Sequence, residues 1–222
     1  MPILLFALFA LSLVTFLIWS RKRRLERERY IRDYPLPKGL LDKLAKRRPE
    51  LDLKQRTLVA RGMRQFFLAY LNSGRQFVAM PSQVVDDLWH EFILYTKAYE
   101  AFCAKAFGRF LHHTPAVVLG SEKKDNAGLR RVWWFACREE NIDPKKPLRL
   151  PLLFALDAKL GIDDGFIYTP NCIKQRTATG ANVHCGADFS DSSVDGGTDG
   201  LGDSSGDSTG GESGCGGGCG GD

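Results

Sequence analysis

The chain opens with an unbroken apolar block and then shifts to a three- and four-residue rhythm of apolar positions that persists to about residue 160. Residues 2–19 read Pro-Ile-Leu-Leu-Phe-Ala-Leu-Phe-Ala-Leu-Ser-Leu-Val-Thr-Phe-Leu-Ile-Trp, without one charge. At about 1.5 Å of rise per residue they cover close to the roughly 30 Å of bilayer hydrocarbon, which predicts one membrane-crossing helix in residues 1–20. Tyr34-Pro35-Leu36-Pro37 then breaks any helix leaving the membrane, because each proline disfavours the α region in the residue before it. Leu40, Leu41 and Leu44 predict a short amphipathic helix, and Leu53, Leu58, Val59, Met63, Phe66, Phe67, Tyr70 and Leu71 a longer one ended by Asn72-Ser73-Gly74. Ser82 is placed to cap a third helix running from Gln83 to about Phe107, with Asp86 and Asp87 in its early turns and Gly108 at its end. Its Val84, Val85, Leu88, Trp89, Phe92, Tyr99 and Phe102 mark it as the central buried helix. Residues 126–140, around Val132-Trp133-Trp134-Phe135, and residues 150–160 complete the helical set. The expected class is all-α.

From Gly186 onward the rhythm stops and the chain is almost wholly Gly, Ser, Asp and Thr, a composition that cannot bury enough to order itself. The expected organisation is an anchor at 1–20, a basic juxtamembrane segment at 21–33, a helical domain at 34–186 and a disordered acidic Gly/Ser/Asp/Cys-rich tail at 187–222.

Charge sharpens this division. The net charge is +5, yet no Lys or Arg follows Arg176 while eight acids do, so the chain before the tail carries +13. Trp19 sits where an interfacial aromatic belongs, and Arg21, Lys22, Arg23 and Arg24 follow it directly, a lipid-facing basic cluster suited to anionic head groups. That bias places the following domain on the cytoplasmic side of the cell membrane, as a single-pass protein. A cleaved secretory signal would need a basic segment before the apolar block and a small-residue site after it, and neither is there. Nucleic acid is a poor fit as partner, since no recognition motif accompanies the basic helices. The six cysteines are too widely spread for a small disulfide scaffold and read as thiols.

Candidate chemistry concentrates in residues 86–115. His90, His112 and His113 come together when the chain after Gly108 folds back along the helix, and three imidazoles are a known zinc set with one open position. Asp87 and Glu91 are candidate outer-shell groups or bases. Position 94 is Leu, so the helical His pair of zinc hydrolases is missing, which weighs against an enzyme. Cys172, His184 and Cys185 form a second candidate cluster that lacks a closely spaced cysteine pair, and Cys215 and Cys219 are thiols on the tail.

The same stretch carries a resemblance. Asp86-x-x-Trp89-His90, the aromatic run Tyr99 to Cys103, and Gly108 with His112-His113-Thr114-Pro115 resemble the Trp-His helix of the glycine-rich domain-containing protein family over about residues 80–116. The Gly- and Cys-rich terminus is similar to bacterial members. What the resemblance implies is a fold more than an activity. Two functions are therefore expected to compete: a membrane-anchored interaction domain without catalysis that engages an unidentified protein partner, and a zinc- or iron-binding module or hydrolase built on His90, His112 and His113.

Overall fold

The computed structural model describes residues 2–113, 122–170 and 184–185. Among them are seven helices: α1 (Pro2–Asp33), α2 (Leu40–Arg47), α3 (Leu53–Asn72), α4 (Gln83–Leu94), α5 (Thr96–Ala106), α6 (Glu122–Glu139) and α7 (Leu152–Leu160). Two two-residue strands, β1 (Tyr168–Thr169) and β2 (His184–Cys185), pair in parallel. The class is all-α, with an apolar N-terminal helix. The tail from residue 187 lies outside the described residues.

Helix α3 organises the rest. Asp52 and Gln55 form a reciprocal capping box at its start, each side chain taking the other's backbone N–H, at 2.7 and 2.8 Å. The helix is buried along most of its second half, and α1, α2, α4, α6 and α7 all pack against it. Close approach depends on Gly62, where an added Cβ would stand 2.4 Å from a Leu156 methyl of α7 and 3.1 Å from one of Val85 on α4. Around this contact Phe66, Phe67, Trp89, Phe92, Phe102 and Phe107 form a continuous aromatic cluster with ring centroids 5–6.5 Å apart, the spacing of edge-to-face and tilted pairs.

Two departures from the sequence expectation position the functional residues. The predicted 83–107 helix is two helices, broken at Tyr95, whose backbone leaves the helical region at φ −80°, ψ 58°. The gain from the break is tertiary: α5 turns back so that the Tyr99 hydroxyl accepts from Trp89 Nε1 at 3.1 Å and donates to the Leu111 carbonyl at 2.6 Å, all in the interior. Periodicity alone carries no sign of this, since the apolar spacing continues across the joint.

Second, α1 does not stop where its apolar turns end. Its apolar portion from Leu5 to Trp19 is not buried, and within α1 lies a span long and apolar enough to cross a bilayer, with a mean hydropathy of 1.6. The helix then continues without interruption through the basic segment to Asp33, and its last turns enter the core. Ile31 is fully buried, Tyr30 and Tyr34 lie 5.9 and 4.8 Å from the Phe102 ring, and Arg24 donates to Asn72 at 3.0 Å. The segment 21–33 is thus a stalk that ends as part of the domain. Arg21 to Arg24 follow the apolar turns directly, and the Arg23 guanidinium stacks 4.6 Å from the Trp19 ring.

Candidate metal centre

Helix α4 begins at a buried anchor. Ser82 caps it, accepting from Val85 N–H at 3.4 Å, and the fully enclosed Asp157 of α7 accepts from Ser82 Oγ and the Gln83 N–H at 2.7 Å and from Val84 N–H at 3.2 Å. A carboxylate at a helix N-terminus satisfies otherwise orphaned donors and meets the positive end of the helix dipole. One turn on, Asp86 and Asp87 diverge by about 100° around the helix, the angle that 3.6 residues per turn imposes on neighbours.

Asp87 points inward to α2, with its side chain 1% exposed. Arg48 Nε meets Oδ2 at 2.7 Å and Arg47 Nε meets Oδ1 at 3.0 Å, while Arg48 also grips Asp164 with two nitrogens at 2.7 and 2.8 Å. This network holds Arg48 firmly charged, its pKa raised by the hydrogen bonds to Asp164 and Asp87 against the cost of burial. Asp87, an outer-shell candidate in the sequence, is occupied here by two guanidiniums.

Asp86 points the other way, to His90 and His113. His90 lies one turn further on the same face. Its Nδ1 sits 2.9 Å from the Asp86 carbonyl and 3.2 Å from Oδ2. A carbonyl only accepts, so in this contact Nδ1 is the donor, and a hydrogen bond of this kind is what orients metal-binding histidines. His113 arrives from the segment after α5. There the turn at Gly108, with φ +73°, and the Tyr99–Leu111 hydrogen bond redirect the chain back to α4. Its Nε2 stands 3.0 Å from Asp86 Oδ1, its ring 4.2 Å from that of His90 and 4.6 Å edge-on to Trp89.

One ligand atom each from Asp86, His90 and His113 lies within 4.8 Å of the others, and all three residues are half-buried. Two donors held about 2.1 Å from one metal at a right angle stand about 3.0 Å apart, the separation of His113 and Asp86. A metal would there replace the Nε2 proton. Two imidazoles and one carboxylate with further positions open suit zinc or ferrous iron.

His112 is exposed, its ring tilted against that of Phe110 at 4.8 Å, outside this group. Glu91 is half-buried on α4. The candidate ligand that the sequence analysis did not name is Asp86, and its signal was available: Asp86 and His90 stand four apart on a helix. Of the second cluster, Cys172 lies outside the described residues, as do Cys215 and Cys219, while His184 and Cys185 contribute their backbone to β2. The thiols of Cys103 and Cys137 are buried, and burial pushes their pKa values up, that of Cys137 to about 12.

A family model described as UCP032817-like matches residues 26–189. Comparison with curated proteins and with solved structures gives no match.

Proposed function

Taking as premise that the chain belongs to the UCP032817-like family, we propose that it is a membrane-anchored interaction module whose helical domain binds one divalent transition metal through Asp86, His90 and His113. The match begins inside α1, past its apolar turns, so what the family shares is the domain together with the end of its stalk. The observation that carries the reading is the convergence of a carboxylate and two imidazoles from two separate segments. The metal's role in this reading is to pin the segment at 108–113 against α4, completing a surface for a protein partner, without catalysis. The likeness of residues 80–116 to glycine-rich domain-containing proteins belongs to the same proposal, since that stretch supplies every ligand. The anchored state rests on the exposed apolar turns of α1, and the cytoplasmic orientation on Arg21 to Arg24 behind Trp19.

The test is elemental analysis of the full chain purified in lipid nanodiscs, beside its Asp86→Ala and His113→Ala variants. About one zinc or iron per chain, lost in both variants, is the expected result. Metal-free protein whose melting temperature also ignores added zinc and ferrous iron would overturn the site. Orientation is checked separately by protease digestion of inverted membrane vesicles, which should degrade the domain, whereas intact cells should protect it.

A further inference from the structure

On the far side of α3 a cleft of about 660 Å³ opens between α1, α3, α7 and the chain after α6. Five cations line it, Arg32, Arg61, Arg64, Arg149 and Lys159, against two acids, Glu139 and Glu140. Both acids are already engaged. Arg32 clasps Glu139 with two nitrogens, and Glu140 takes Arg149 together with the Gln65 amide at 2.9 Å. Despite burial, the Leu152 backbone N–H, the Gln65 amide and Arg149 hold the Glu140 carboxyl below its usual pKa.

Three cations are left over. Among the described residues, Arg61 and Lys159 form no ion pair and stand exposed at the rim. Arg64 is half-buried. Its terminal nitrogens reach only the backbone carbonyls of Ala60 and Tyr34, at 3.3 and 3.0 Å, and its enclosed Nε has no partner. Burial lowers its pKa, and the nearby Asp33 carboxylate offsets only part of that. An anion in the cleft would give Arg64 the direct ion pair that it lacks among the described residues. Leu58, Leu68 and Leu152 supply an apolar side to the same cleft.

We infer that this cleft binds a small phosphorylated compound, its phosphate held by Arg61, Arg64 and Lys159 and its organic body resting on the leucines. Guanidinium forks favour phosphate over a single carboxylate, because they match its several acceptor oxygens. The volume falls in the range of about 300–1,000 Å³ usual for small-molecule sites. A phospholipid in the bilayer is the alternative source of the same phosphate, and α1 argues against it. Arg32 lies thirteen residues beyond Trp19 on one continuous helix, about 20 Å along the axis. The head-group layer is only about 5–8 Å deep on each side.

Calorimetric titration of the full chain in neutral phosphatidylcholine nanodiscs with inorganic pyrophosphate tests this. Saturable binding that weakens at least tenfold in Arg61→Gln/Arg64→Gln, and stays unchanged in Arg21→Gln on the stalk, is expected. Should the double variant fail to fold, Arg61→Gln and Lys159→Gln, both at exposed positions, carry the comparison. Absence of heat at millimolar pyrophosphate, or equal affinity in wild type and cleft variants, overturns the inference. So does a tenfold loss of pyrophosphate affinity on changing to phosphatidylglycerol nanodiscs, which would mean that membrane lipid fills the cleft.

Discussion

Asp86 and Asp87 are chemically identical neighbours that do opposite work. Asp87 is sealed between α4 and α2 with two arginines, and nothing is left for it to bind. Asp86, rotated toward the surface, has two imidazoles for company, partners that can exchange a proton for a metal. A guanidinium is permanently charged, so its pairing locks a carboxylate into structure, whereas a histidine's partner stays available for exchange. Which of the two is locked into the structure and which stays open to exchange is decided by helix geometry, not by residue type.

The largest effect should come from Asp87→Ala. It strands the half-buried Arg48 head group and releases the exposed Arg47, and removing one partner of a buried pair costs about 3–5 kcal/mol. Arg48 keeps Asp164, so a value near the lower end is expected in chemical denaturation. A loss below about 1 kcal/mol would break the contrast at its root. Tyr99→Phe comes next. It orphans the Trp89 indole N–H and the Leu111 carbonyl, each in the interior, for about 1–3 kcal/mol. Because Leu111 aims the segment bearing His113, this variant should also weaken metal binding though it touches no ligand.

Asp86→Ala should cost less than about 1 kcal/mol in metal-free protein, as expected of a partly exposed pair. It should nevertheless abolish any rise in melting temperature on adding zinc. That split between stability and metal response, reversed for Asp87→Ala, is the sharpest form of the comparison. The smallest effect at neutral pH belongs to Cys137. With its native pKa about 12 and the ordinary thiol value 9.0, it should resist iodoacetamide at pH 8 until denaturant is added. Above pH 9 the unfolded thiol ionises while the native one holds its proton. Its contribution to stability is therefore complete below pH 9 and lost as pH climbs toward 12, which pH-dependent melting would register.

Much of the fold was legible beforehand because its elements obey local rules. The apolar period of α3, the Ser82 cap and the glycine ends mark helices wherever they are packed. What escaped is non-local. The Tyr95 break exists because Tyr99 must reach both Trp89 and Leu111, and the joining of the stalk to the core exists because Tyr30 and Tyr34 meet Phe102. At the candidate metal site, counting imidazoles selected His90 and His113 but could not say that His112, next in sequence to His113, turns away onto Phe110. Nor does a string of residues show which of two adjacent carboxylates already has a partner.

Helix α1 passes from its apolar turns into the core with no glycine, proline or loop between Ser20 and Asp33. With those turns embedded in a bilayer, the domain is a head on a stiff shaft and not a ball on a string. Its height above the membrane is set by helix rise, and the direction it faces is set by the rotation of the buried turns. A change in bilayer thickness or in the helix's neighbours within the membrane would swing the candidate metal site and the basic cleft together, as parts of one lever.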